Sequence, residues 1–367
     1  MKIELFLILL TFFSLSFSLI AQNIKVVKEF NSSYYELKGL EVNLTSDKIL
    51  IALDHQNIFT EDLSGKKIFQ ASPGENYFLI ANFKFSNEKA DYPVEIRVFD
   101  RDCKLVFPYK FFAPYDLPHS LFHLNDNALL ALFDPLSFKV KLIEKESYKE
   151  IELAKDIPFE MEKASFMEIN EDFLFILTPQ KALDITENAS NITLFKVNLQ
   201  DLSTVKKELD YNSPTLLKII NDNVFISGVK FENLKPVGKT IKYDFQLNQL
   251  SLNEKIIEKL IPHGNKFYAK YFNTIYELNN DLSISIEKKL FGGERILDLA
   301  FANEKLIVVT NVSGENIIYS FLPDLRIDIK EPVDNFGINR IENFSISGNN
   351  LIIRHDSKSV KIKTNRN

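Results

Sequence analysis

The sequence predicts an all-β protein, a single β-propeller of eight four-stranded blades with seven as the alternative, and three observations predict it. The first is a polar turn feeding an apolar strand, as in Asn303-Glu304-Lys305 ahead of Leu306 to Val309. The second is a turn of the Asp-Leu-Ser type set between two apolar runs, as in Asp281-Leu282-Ser283. The third is that both recur with a period of about 43 residues. That is the size of a unit whose small sheet buries its faces only by packing on its neighbours.

Taking the first landmark in chain order, its turns centre on Asp47, Asp126, Glu171, Asp222, Asn265, Glu304 and Asn349, with gaps of 79, 45, 51, 43, 39 and 45 residues. Each is read as the tight hairpin between the first and second strands of a blade, because two or three polar residues before a β-branched or Leu/Phe run mark a hairpin entering a buried strand. The first gap holds two periods. The second landmark, read as the turn between the third and fourth strands, falls at Asp62-Leu63-Ser64, Asp102-Cys103-Lys104, Glu146-Ser147-Tyr148, Asp201-Leu202-Ser203, Gln249-Leu250-Ser251, Asp281-Leu282-Ser283 and Asp324-Leu325-Arg326. Its copy at Asp102 supplies the unit the first landmark lacks. Between Ile49 and Asn125 only seven strands are found where two blades need eight, which keeps seven blades open. The last unit has three strands, Ile341 to Ser347, Leu351 to Arg354 and Val360 to Lys363, and the leftover N-terminal strand Ile24 to Glu29 is expected to complete it and close the ring. A β-sandwich or solenoid with the same hairpin period is the competing fold.

Thirty-two phenylalanines and no tryptophan assign Phe the space between blades. At the N-terminus Lys2, the apolar run Leu5 to Phe13 and the small residues Ser14, Ser16, Ser18 and Ala21 form a secretory signal pattern. Residues 1–21 are thus expected to be a signal peptide, cut after Ala21 or Ser18, and 22–367 the propeller domain, which puts the protein in the periplasm or outside the cell. An uncleaved membrane anchor is the alternative. The single cysteine, Cys103, allows no intramolecular disulfide and sits in the leucine place of its turn, where it reads as a small apolar residue. The net charge of −6, with no basic cluster interleaved with aromatics, speaks against a nucleic-acid partner.

The sequence carries no Gly-X-Ser-X-Gly elbow, His-Glu-X-X-His, phosphate loop or calcium loop. No catalytic residue, metal ligand or cofactor is assigned. His119 and His123, four apart on an expected strand, lie too far apart to share a metal easily. The long connections are expected on the face that joins second to third strands and fourth strands to the next blade: Phe83 to Pro93, Pro114 to His119, Asp156 to Lys163, Pro179 to Asn191, Gly228 to Lys239 and Val333 to Arg340. Function concentrates on loops held by a rigid scaffold. From the blade-to-blade connections we therefore select Tyr115, Asp116, His119, His263, Arg295, Asp334 and Arg340 as ligand-binding candidates.

The stretch Asp62-Leu63-Ser64-Gly65-Lys66-Lys67-Ile68-Phe69, repeated in degenerate form, resembles exported bacterial propeller proteins with quinoprotein-type or WD40-like repeats. Quinoprotein repeats carry a tryptophan where this chain has Phe69, so the resemblance does not extend to a quinone. An eight-bladed accessory lipoprotein of outer-membrane assembly is similar in architecture but carries a lipidated cysteine that has no counterpart near Ala21. The whole sequence is read as an exported, non-enzymatic propeller that binds an envelope or extracellular protein, peptide or polysaccharide through its long-loop face. The alternative is a propeller enzyme, a hydrolase, lyase or oxidoreductase, with its site at the mouth of the central channel.

Overall fold

The structure, a computed structural model, describes residues 25–37, 39–53, 56–83, 92–113, 122–134, 139–145, 147–153, 166–179, 192–211, 213–232, 235–302, 304–333, 341, 343–347, 350–355 and 358–363. All its regular elements are strands. They are β1 (Lys25–Phe30), β2 (Ser33–Leu37), β3 (Leu40–Leu44), β4 (Lys48–Leu53), β5 (Gln56–Asp62), β6 (Lys66–Ala71), β7 (Tyr77–Phe83) and β8 (Tyr92–Asp100). There follow β9 (Leu105–Ala113), β10 (Phe122–Leu124), β11 (Leu130–Asp134), β12 (Lys139–Glu144), β13 (Ser147–Glu152), β14 (Phe166–Ile169), β15 (Phe173–Pro179) and β16 (Ile192–Asn198). Next come β17 (Thr204–Leu209), β18 (Ser213–Ile220), β19 (Asn223–Glu232), β20 (Lys235–Tyr243), β21 (Gln249–Asn253), β22 (Lys259–His263), β23 (Lys266–Tyr271) and β24 (Thr274–Leu278). The last eight are β25 (Ile284–Lys289), β26 (Arg295–Ala302), β27 (Lys305–Val312), β28 (Glu315–Phe321), β29 (Ile327–Pro332), β30 (Asn343–Ser347), β31 (Asn350–His355) and β32 (Lys358–Lys363).

These strands form eight four-stranded sheets, seven of them runs of four consecutive strands starting at β2, β6, β10, β14, β18, β22 and β26. The eighth has the order β1-β32-β31-β30. The fold class is the eight-bladed β-propeller. Among the described residues no helix is long and apolar enough to cross a membrane.

The chain divides into two compact units, residues 46–287 and residues 1–45 with 288–367. Within the first, successive sheets share apolar clusters. Phe83, Val94 and Ile96 meet Phe122 and Leu130, while Ala131 and Phe133 meet Met167, Leu174 and Phe195. Phe175 and Leu194 meet Leu217, Val224 and Tyr243 in the next interface. Phe225 then meets Phe267 edge to face, with ring centroids 5.0 Å apart. Nine of the largest fully buried side chains are phenylalanines, as the missing tryptophan led us to expect. The first strands β6, β10, β14, β18 and β22 touch in succession and form the inner edge of this unit.

In the second unit Ile307, Val309 and Ile318 pack on Phe344, Leu351, Val360 and Ile362. Here the expected N-terminal closure is present: Lys25 to Phe30 pairs antiparallel with Ser359 to Lys363, Glu29 opposite Val360. The following residues are tied to the same sheet. Tyr34 N donates to Ser359 Oγ at 2.9 Å, Ser359 Oγ donates to Ser32 O at 2.9 Å, and the buried Arg354 donates to Tyr34 O at 2.9 Å. Its guanidinium also lies over the Tyr35 ring at 4.4 Å.

Three readings of the sequence are corrected. The Asp47 turn joins β3 to β4, the second and third strands of its sheet, and Asp62 ends a fourth strand, so both lie one strand out of phase. The seven strands counted between Ile49 and Asn125 are real. They are β4 to β10; β10 opens the third sheet, and β2 and β3, ahead of Ile49, complete the eight strands of the first two. The third-to-fourth turn of the fifth sheet lies at Asp244 to Asn248, where Leu247 has φ 65, whereas Leu250 and Ser251 belong to β21. Finally, Gly228 to Lys239 is a ladder and not a loop: Gly228 pairs Lys239, Val229 pairs Gly238, and the pairing runs on to Glu232 and Lys235. Both glycines are needed by close neighbours, since a Cβ at Gly228 would lie 2.7 Å from the Tyr211 ring and one at Gly238 1.8 Å from Ile256 Cγ1. The other five long connections fall wholly or largely outside the described residues, as does the signal segment.

Candidate binding surface and the inner strands

In an antiparallel sheet of consecutive strands, the first-to-second and third-to-fourth turns lie at one end, the second-to-third turn and the exits to neighbouring sheets at the other. The short-turn end is built from repeated chemistry. Asn125 Oδ1 accepts from the backbone N–H groups of Asn127 (3.0 Å) and Leu129 (2.9 Å), and Asn170 Oδ1 accepts from those of Asp172 (3.0 Å) and Phe173 (2.7 Å). These turns also hold one another: Asn125 Nδ2 donates to Asn170 O at 3.1 Å, and the Asp126 carboxylate accepts from Ser72 Oγ at 2.5 Å and from Gly74 N at 2.8 Å. At the third-to-fourth turns a left-handed residue closes the hairpin, with Cys103 at φ 63, Leu202 at 62, Leu282 at 66 and Leu325 at 57. Cys103 is buried, and burial followed by the nearby Asp100 and Asp102 pushes its thiol up to about 11, so it behaves as the small apolar group expected. The described connections named here are consumed in turn geometry, which leaves them little freedom for a ligand.

Apolar residues are exposed at both ends, Leu105, Val205, Leu250 and Ile327 beside the third-to-fourth turns among them, but the exposed phenylalanines are at the opposite end. The three phenylalanines that stand out of the described surface all lie there. Phe112 (71% exposed) sits at the exit of β9, Phe272 (50%) on the β23–β24 turn, and Phe291 (81%) on the connection between β25 and β26. Tyr148 (61%) is the one comparably exposed aromatic at the short-turn end, and the Lys141 ammonium lies 5.9 Å from its ring centre.

Of the seven residues selected from sequence, Tyr115, Asp116, His119, Asp334 and Arg340 lie outside the described residues. Arg295 is the exposed first residue of β26, at the sheet end where it was expected. His263 is corrected in position. It is the last residue of β22 and pairs Lys266 across the first-to-second turn, because Gly264 at φ 57 turns the chain at once. Its ring meets Tyr268 edge to face at 6.2 Å, and Tyr268 OH donates to the buried Glu277 carboxylate at 2.7 Å. Lys266 and Ser285 donate to the same carboxylate. Burial alone would raise Glu277, but the bonds from Lys266, Ser285 and Tyr268 outweigh it and hold the group below the usual carboxylate range. This cluster is a satisfied structural network beside a turn.

The sequence reading missed a second constellation, on the inner edge of the unit spanning residues 46–287. Three neighbouring first strands each carry one ionisable group: His123 on β10, Glu168 on β14 and Lys218 on β18. Lys218 Nζ donates to both Glu168 oxygens, at 2.8 and 3.1 Å, and remains 44% exposed while Glu168 is 15% exposed. Loss of solvation pushes Glu168 above its ordinary value against the pull of Lys218. Burial, then the Lys218 charge, drives His123 down to about 3, so its imidazole is neutral at neutral pH. The legible signal was position. Each of the three interrupts an apolar strand three or four residues before a turn centre, at 126, 171 and 222. Among the described residues no group of three or more His, Cys, Asp or Glu is placed to hold a metal.

No family model matches the chain, and no curated protein does. Solved structures resemble it in fold. A eukaryotic initiation factor matches at 11% identity and a TM-score of 0.49, covering 83% of this chain and 87% of that one. The CNH domain of AfRom2 matches at 8% and 0.46, covering 94% and 99%. An acylaminoacyl peptidase of Pyrococcus horikoshii matches at 13% and 0.47, covering 79% of this chain and 48% of its own. At these levels the likenesses carry no argument about activity.

Proposed function

We propose that the protein is an exported, non-enzymatic binding module. It meets a protein, peptide or polysaccharide of the envelope or surroundings with the sheet ends that carry the second-to-third turns and the exits between sheets. The observation that carries this reading is the placement of Phe112, Phe272 and Phe291, each at such an end of its own sheet. Three phenyl rings in water forgo about 2 kcal/mol each of burial, which a partner surface recovers. The sequence candidates Tyr115, Asp116, His119, Arg295, Asp334 and Arg340 would supply the polar rim. His263 drops out of this surface by its place at the other end. The ionisable groups support binding over catalysis. His123, neutral far below pH 7, is poorly matched to proton transfer, and Glu168 is already bound to Lys218. Export rests on the N-terminal pattern of Lys2, Leu5 to Phe13 and Ala21.

The test compares the immobilised protein with its Phe112→Ser/Phe272→Ser variant against extracellular proteins and glycans. The double variant should lose at least about tenfold in retention of whatever the parent holds, as two central anchors at 1–2 kcal/mol each imply. Equal retention by both, or none by either, refutes the reading.

A further inference from the structure

Asparagine followed two residues on by serine or threonine occurs six times, at Asn31, Asn43, Asn188, Asn191, Asn311 and Asn343. The topology brings all six to one end of their sheets, the end of the second-to-third turns and of the exits. Asn31 lies in the exit from the eighth sheet, between β1 and β2, and Asn343 opens β30. Asn43 and Asn311 are the last residues but one of β3 and β27, each the second strand of its sheet. Asn188 and Asn191 fall between the second strand β15 and the third strand β16. The short-turn end has asparagines too. Asn125, Asn170, Asn221, Asn248, Asn279 and Asn280 stand at its turns, with Asn, Asp, Asn, Leu, Asp and Leu two places on. Abundance of asparagine alone would scatter the motif over both ends.

Asn-X-Ser/Thr is the acceptor of N-linked glycans in exported proteins, and it needs its amide at the surface. Asn31 meets that condition best, being exposed in a turn outside any strand. Asn43 accepts from Ser32 Oγ at 3.0 Å within the β2–β3 pairing, and Asn311 donates to Asn316 Oδ1 at 2.9 Å, so their amides are already engaged. Resting on the export half of the reading above, and going beyond it, we propose that Asn31 is an N-glycosylation site, with Ser33 as the hydroxyl residue two places on. The donor class is an oligosaccharide carried on a polyprenyl pyrophosphate. Asn31 Nδ2 bonds to C1 of the first sugar, and the bond from C1 to the pyrophosphate oxygen breaks with its electron pair leaving on that oxygen. One amide proton passes to a base of the transferase. Nothing is oxidised or reduced. The sheets that carry Phe112 and Phe272 hold none of the six acceptors, so the glycan and these phenylalanine anchors occupy different sheets.

The experiment purifies the full chain from the organism that encodes it and reads it by peptide mass spectrometry. Cleavage after Lys28 and Lys38 isolates residues 29–38, in which Asn31 is the one asparagine. That peptide should carry a sugar mass on Asn31. Asn31→Gln and Ser33→Ala should each abolish it, and Ser33→Thr should keep it. The peptides containing Asn125, Asn170 and Asn221 should be unmodified. Asn31→Gln, at an exposed turn, keeps the test informative if a change at Ser33 disturbs β2. The proposal is overturned by an unmodified 29–38 peptide or by a sugar on Asn31 that persists in Ser33→Ala. An unmodified peptide from chains cut after Ser18 or Ala21 removes the glycan and leaves export standing. An unmodified peptide from cytoplasmic chains that still carry residues 1–21 removes both. A glycosylated chain whose retention of partners does not depend on Phe112 and Phe272 keeps this site and removes the binding surface.

Discussion

At Leu282 and Leu325 the backbone sits at φ 66 and 57, a conformation that costs a residue with a Cβ about 1 kcal/mol, yet an apolar side chain recurs there. Burial explains it. Leu282 is fully enclosed and Leu325 nearly so, and burying a leucine contributes about 1.5–3 kcal/mol, more than the strain costs. Replacing Leu282 by glycine relieves the backbone but empties the site. We expect a net loss of about 1–3 kcal/mol in urea denaturation, where a purely conformational role predicts a gain. His123 gives the residue scale a pH dependence. Its folded pKa of about 3 lies below the ordinary value of 6.5, so the native state excludes a proton that the unfolded chain accepts. Its contribution is complete above pH 6.5 and is lost as pH falls toward 3, at up to about 1.4 kcal/mol per unit. The parent should therefore lose about 2 kcal/mol more than His123→Gln between pH 7 and pH 5. Equal losses would show that the imidazole is not held neutral.

The elements are short sheets whose turns hold one another as well as their own strands. Asp126 is the clearest case, reaching from its own turn to Ser72 and Gly74 at 2.5 and 2.8 Å. Asp126→Ala should cost about 2–3 kcal/mol, because two bonds to a charged acceptor are lost, and an unchanged denaturation midpoint would contradict that link. The same chemistry explains what the sequence disclosed. Period, strand type and the closing strand were readable because a polar hairpin and a Leu/Phe/Ile run recur whatever sheet they enter. Rank within a sheet was not readable, since Asp47 at a second-to-third turn uses the same residues as Asp126 at a first-to-second turn. The pair at Leu250 and Ser251 mimicked a turn whose left-handed residue is Leu247. Gly228 and Gly238 looked like loop residues but are glycine because Tyr211 and Ile256 lie against them. His123 was hidden by the three-residue length of β10, too short for its alternation to stand out.

For the whole molecule, stability has to come from sheets burying one another, since a chain with one cysteine has no disulfide to restrain it. The eighth sheet is completed from the far end of the sequence, by β1 on β32, and the residues after β1 are bound to Ser359 and Arg354 over separations of more than 300 residues. Removing that strand leaves the edge of β32 unpaired.

The most direct test of this architecture is a covalent one. In a Cys103→Ser background, Lys28→Cys and Lys361→Cys place two thiols on directly paired residues. Mild oxidation should give an intramolecular disulfide, seen by mass spectrometry as a linked peptide containing positions 28 and 361 and by slower unfolding that reverses on reduction. Free thiols or only intermolecular links, in protein whose circular dichroism matches the parent, would contradict the closure of the last sheet by the first strand.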